Sequence, residues 1–135
     1  MDLLKSIKLA AAGMKAQGER MRVISENLAN KDSVGRTPEQ DPYRRKIITF
    51  KNNLDRELNA QKVEVDKITE DKSEFQKRFD PSHPAADEEG YVKTPNVNSL
   101  VELMDMKETQ RSYKANIQTI EASKRMIAQT LDILR

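Results

Sequence analysis

Apolar side chains recur every seven positions at both ends of the chain. Ile7, Met14, Met21 and Leu28 form one line, flanked by Leu3, Ala10, Gln17 and Ile24 on one side and by Ala11, Gly18 and Ser25 on the other. A seven-residue repeat is the spacing of a helix that lies along another helix. The small flank says that the partner comes close. Gly13 and Gly18 each cost about 1 kcal/mol of helix propensity relative to alanine, which such an approach would explain. Near the other end Met106, Tyr113, Ile120, Ile127 and Leu134 form a second line, with Leu103, Gln110, Ile117, Lys124 and Leu131 as its companions. Either Asn96 or Asn98 supplies an N-cap. The pattern predicts a mainly α fold: long N- and C-terminal helices packed coiled-coil-like, over 1–33 and 99–135. Helices of that length, at about 1.5 Å per residue, overhang a compact globule, so the expected shape is elongated.

The heptads stop in the middle. Gly35, Pro38 and Asp41-Pro42 are turn formers, and Tyr43 to Phe50 reads as a strand. Lys51 to Gln61 fits a short helix or a polar loop. Val63 and Val65 alternate and Ile68 slips phase, as in a strand with a bulge. The run "EFQKRFD" fits a second strand or one helical turn. The expectation is a small β-hairpin insertion within 34–80, followed by a Pro-rich connector over 81–98. There Pro81, Pro84 and Pro95 impose extended geometry, Gly90 permits a turn, and Tyr91 with Val92 anchors the connector on a helix face.

Composition narrows the options. Hydrophobic residues make up 36% of the 135 residues, charged residues 34% and aromatics 4%. Such a chain buries seams and not a large core. Leu3, Leu4, Val23, Val101, Met104, Met126 and Ile133 lie off the main lines, and exposed apolar surface of that extent marks an interaction face. With 24 Lys plus Arg against 22 Asp plus Glu, the net charge of +2 implies no nucleic-acid surface. The absence of cysteine removes disulfides and thiolate chemistry. Lysines at 5, 8 and 15 break the first apolar stretch, so no secretory signal is expected, and no run suits a membrane helix.

Candidate chemistry is sparse. His83 stands near Asp80, Asp87, Glu88 and Glu89, but one imidazole and no calcium-loop spacing favour a solvated loop over a metal or general-base site. No phosphate-binding glycine motif or nucleophile elbow is present. No catalytic residue, cofactor or metal is therefore expected. The basic run Tyr43-Arg44-Arg45-Lys46 reads as exposed charges on a strand edge.

"SENLANKDSV" at 25–34 carries Asn27-Leu28-Ala29-Asn30, which resembles the signature that ends the first helix of bacterial flagellar axial proteins. Tyr43, Arg44 and Arg45 keep the tyrosine and basic part of its usual sequel. Gly90-Tyr91 and Pro95-Asn96, within "FDPSHPAADEEGYVKTPNVN", and "RSYKANI" at 111–117 resemble the proximal-rod branch of that family. The resemblance implies a non-enzymatic structural subunit of the flagellar basal body, in the rod that crosses the periplasm. Its implied partners are copies of itself, other rod proteins, membrane-ring and rod-adaptor components and the type III export apparatus, with no nucleic acid and no small-molecule substrate. Subunit packing would fall to Ile7, Met14, Met21, Leu28, Met106, Tyr113, Ile117, Ile120, Ile127 and Leu134. The competing classes are a helical adaptor or export chaperone, and a small metal-dependent enzyme built on His83.

Overall fold

A computed structural model of the chain describes residues 3–133. Leu134 lies outside them. Helix α1 (Leu3–Ala29) is followed by strands β1 (Lys46–Asp55), β2 (Ala60–Glu70), β3 (Gln76–Phe79) and β4 (Tyr91–Thr94), and then by helix α2 (Ser99–Ile133). Strands β1 and β2 pair as one two-stranded sheet, β3 and β4 as another. The fold is thus two long helices with a β insertion, as the heptads and their interruption predict. No described helix is long and apolar enough to cross a membrane.

These residues form two compact units. One contains α1 as far as Met21, Ile48–Lys67, and α2 from Met106 onward; the other contains Arg22–Ile47 and Ile68–Asp105.

In the first unit the two helices meet along polar and small side chains. Ser123 Oγ lies 3.5 Å from Ser6 Oγ, and a Cβ on Gly13 would stand 2.9 Å from Asn116 Nδ2. Seven residues forward on α1 match seven residues back on α2, which is an antiparallel register. Thr109 and Ser123 are almost fully buried. The line facing α1 beside Met106, Tyr113, Ile120 and Ile127 is therefore Thr109, Asn116 and Ser123, the first and last buried and Asn116 half-buried, one residue earlier than the expected companions. Close approach explains the difference: short polar side chains fit opposite Ser6 and Gly13, whereas Leu131 of the expected line is 60% exposed. On α1 the buried positions here are Ala10 and Ala16.

The hairpin of this unit is longer than expected. Asn53 donates to Glu64 (3.0 Å) and Thr49 Oγ1 to the Lys67 carbonyl (3.3 Å). The stretch after Lys51, which fits a helix or loop on propensity, continues β1 because pairing with β2 overrides weak strand formers. The turn closes through Asp55, whose Oδ1 accepts from the Glu57 and Leu58 amides. Those backbone bonds, Leu58 first, help hold its carboxyl below its ordinary value.

The second unit buries Val23, Ile24, Ala85 and Val92. Strand β3 settles the ambiguous "EFQKRFD" run, and its partner β4 arises within the Pro-rich stretch, with Phe79 opposite Tyr91 and Gln76 opposite Thr94 in an antiparallel ladder. Tyr91 packs edge-to-face on Phe79, ring centroids 5.4 Å apart. The connector is thereby paired to a strand through β4, with Tyr91 on Phe79 and Val92 fully buried. Asn98 caps α2 by accepting from the Leu100 amide at 3.0 Å. Asn96, the other capping candidate, has a different task. Val23, expected among the exposed apolar residues, is only 2% exposed, whereas Leu4, Val101, Met104, Met126 and Ile133 are exposed as expected.

A buried polar hub at the end of the first helix

Asn27 is 1% exposed. A buried primary amide needs two acceptors and two donors, and Asn27 finds all four. Its Nδ2 donates to the Lys46 carbonyl (2.9 Å) and to Glu102 Oε2 (3.2 Å). Its Oδ1 accepts from the Lys46 amide (2.9 Å) and from the Tyr43 hydroxyl (2.9 Å). The end of α1, the first residue of β1 and the first turn of α2 are thereby tied to one side chain.

Glu102 is equally buried, at 1% exposure. An isolated carboxylate there would cost several kcal/mol. Arg45 compensates it: Nε donates to Glu102 Oε1 at 2.5 Å, while the guanidinium also reaches Asp71 (3.5 Å) and Asp105 (3.9 Å). Burial pulls the Arg45 guanidinium down, but the hydrogen bond and charge of Glu102, and then of Asp71, outweigh it and hold it above its ordinary value. The Ser73 amide is the main group holding Asp71 below the usual carboxylate range, with Arg45 adding to it. Burial, followed by the charges of Glu26, Glu102 and Glu70, pushes the Tyr43 hydroxyl up to about 12.

Asn96 is the strap on the other side. Its Oδ1 accepts from the Arg45 amide (2.8 Å), and its Nδ2 donates to Ser73 Oγ (2.8 Å) and the Asp71 carbonyl (3.1 Å). Arg44 donates to the Asp71 and Ser73 carbonyls and lies over the Phe75 ring at 4.1 Å. Lys46 Nζ pairs with Glu26. The Arg44-Arg45-Lys46 run is therefore engaged charge by charge, which corrects its reading as exposed strand-edge charges. The acids that claim Arg45 and Lys46 are distant in sequence and carry no local signal, and Arg44 is held by main-chain carbonyls and the Phe75 ring.

The motif residues divide between this hub and its borders. Asn27, Tyr43, Arg44 and Asn96 meet in it, Pro95 is buried, and Asn30 ends α1 by donating its Nδ2 to the Glu26 carbonyl. Leu28 is half-buried and Ala29 exposed. Gly90 and Tyr91 belong to a separate turn. There Gly90 adopts φ +83°, and a Cβ would meet Phe79 Cε2 at 3.0 Å and Pro81 Cβ at 3.1 Å. His83 Nδ1 accepts from the Ala85 amide, which places it in loop construction. Among the described residues no group of three His, Cys, Asp or Glu side chains gathers as a metal site would. Glu102 and Asp71 are the hub members that motif reading misses. The one available signal is that Glu102, Thr109, Asn116 and Ser123 are themselves seven apart.

The subunit-packing candidates show one common state. Ile7, Met14, Met21, Leu28, Met106, Tyr113, Ile117, Ile120 and Ile127 are all half-buried.

Known proteins match this chain along its length. Residues 88–133 match the family described as flagellar basal body rod FlgEFG protein C-terminal. A flagellar basal-body rod protein FlgC of Agrobacterium fabrum (strain C58) is 46% identical over 136 residues, covering 100% of this chain and 98% of the relative. Those of Bacillus subtilis (strain 168) and Escherichia coli O6:H1 are 38% and 35% identical, each covering 98% of this chain, and 99% and 98% of the relative. Identity of this extent over whole chains shows that the protein belongs to the flagellar basal-body rod protein FlgC family.

Proposed function

We propose that this chain is a structural subunit of the flagellar basal-body rod, joined to its neighbours through the apolar lines of α1 and α2 in coiled-coil-like packing. One observation carries the packing reading: nine apolar seam residues are half-buried, while the helix positions buried in the first unit are the small or polar Ala10, Ala16, Thr109 and Ser123. Fully burying such a side chain stabilises by about 1.5–3 kcal/mol, so each half-covered one retains roughly 1 kcal/mol to contribute on association. Leu100, Leu103 and Met104, at 67%, 51% and 64% exposure, extend the available surface on the first turns of α2.

Surfaces of this kind, meeting different surfaces on the next copy, generate open helical arrays. A rod built this way carries torque through packed helices and needs no bond chemistry. The partners are other copies, other rod proteins, and the ring and adaptor components at the rod base. The marginal helicity of a segment holding Gly13 and Gly18 suits export in an unfolded form through the type III apparatus.

Complementation of a strain lacking this chain tests the proposal. Leu103→Asp and Ile120→Asp should be produced at normal levels and fail to restore motility, with basal bodies ending short of the hook. Normal basal bodies containing either variant would refute the packing reading.

A further inference from the structure

The turn before β4 presents two exposed aromatic rings beside two exposed acids. Phe79 is 63% and Tyr91 40% exposed. Glu88 and Glu89 are exposed and have no ion-pair partner among the described residues. The turn is firmly built: Asp87 Oδ1 accepts from the Glu89 and Tyr91 amides (3.1 and 2.8 Å), and Gly90 N–H donates to the Asp87 carbonyl (3.0 Å). Nearby cations are engaged elsewhere, Arg78 with Asp80 and Lys93 with Asp41; Lys77 lies two residues back along β3.

On α2, Lys107, Arg111 and Lys114 follow at four- and three-residue steps and so share one face. All three are exposed and make no ion pair among the described residues. Gln110, Ala115 and Gln118, the other side chains of that groove, are uncharged. One chain thus carries an acidic aromatic tip and a basic stripe, each without a partner.

We propose that the Phe79–Tyr91 tip with Glu88 and Glu89 docks on the Lys107–Arg111–Lys114 stripe of a second copy of this chain. Charge complementarity selects that occupant. Like charges oppose tip-to-tip or stripe-to-stripe contact, so the interface is head-to-tail and continues from copy to copy. Aromatic faces attract guanidinium groups, as Arg44 over Phe75 already illustrates within this fold.

The inference rests on the rod-subunit reading and deepens it. The chain has no cysteine, so Glu89→Cys and Gln110→Cys each introduce one and leave Glu88 and all three cations in place. Both full-length variants, produced together in cells lacking the native chain and treated with a short bis-maleimide, should give a cross-linked species that neither gives alone. Adding Lys114→Glu to the Gln110→Cys chain should weaken the product, and Glu88→Lys in its partner should restore it. No product from the mixture, a product from either variant alone, or indifference to the charge reversals overturns the interface. Co-purification with basal bodies separates the two failures. Variants that enter basal bodies without cross-linking refute this interface alone, whereas cross-linking by variants absent from basal bodies refutes the rod reading alone.

Discussion

Asn27→Asp is nearly isosteric and isolates the chemistry of the hub. Aspartate keeps the two acceptor positions facing Tyr43 and Lys46. It loses both donors, the bond to the Lys46 carbonyl at 2.9 Å and that to Glu102 Oε2 at 3.2 Å. The first loss is worth about 1 kcal/mol and the second, to a carboxylate, about 1.5–3 kcal/mol. Two carboxylates would then stand about 3 Å apart in a nearly water-free site, with Arg45 offsetting part of the repulsion. The expected destabilisation at neutral pH is about 3 kcal/mol or more, a large share of a typical domain's stability. The pair relieves itself by binding a proton, which raises the pKa of one carboxyl above its unfolded value. Stability is then recovered as pH falls through that raised value, opposite to the usual acid limb of a paired carboxylate. Urea denaturation followed by far-ultraviolet circular dichroism, with wild type and variant compared between pH 8 and pH 5, measures the difference. A variant within about 0.5 kcal/mol of wild type at neutral pH, or a gap that does not narrow on acidification, would refute the hub as drawn.

Four further outcomes are expected. Gly90→Val should cost about 2 kcal/mol or more, because φ is +83° and the new side chain meets Phe79 and Pro81; thermal melting checks it. In a spectrophotometric tyrosine titration, Tyr43 should ionise near 12, after burial and its acidic neighbours have raised it. Because that folded value is raised, its contribution is complete below the unfolded value of about 10 and fades as pH rises through the folded one; Tyr43→Phe should remove the late phase. Asp71 is lowered in the folded state, so its contribution is present above the unfolded value of about 3.9 and disappears as pH falls through the folded one. Asp71→Asn should flatten that limb in acid denaturation. Gly18→Ala should stabilise the isolated chain by about 1 kcal/mol in urea melts, since no atom within 4 Å opposes the new methyl group; a loss would contradict the openness of that helix face.

Much of the architecture is legible in the sequence because both helices advertise themselves twice, by apolar heptads and by interruption at Gly35 and Pro95. The face each helix turns inward is harder to read. Hydrophobicity points to the line of Ile120 and Ile127, while Ser123 and Asn116 meet Ser6 and Gly13, and Thr109 and Ser123 are the buried positions. The hub shows the same division. Asn27, Tyr43 and Asn96 stand out within short motifs, whereas Glu102 and Asp71 become partners of Arg45 only when segments far apart in sequence come together. Strand β4 is hidden for a related reason: Tyr91–Thr94 is short and Pro-flanked, and its ladder to β3 supplies what local preference does not.

Asn27 holds both main-chain groups of Lys46, so at the start of β1 a side chain takes the edge that β2 leaves open. A tug along that strand stretches both bonds at once, in shear, and cannot part them one after the other like the teeth of a zipper. A structural subunit of a rod gains from a joint whose fasteners share every load.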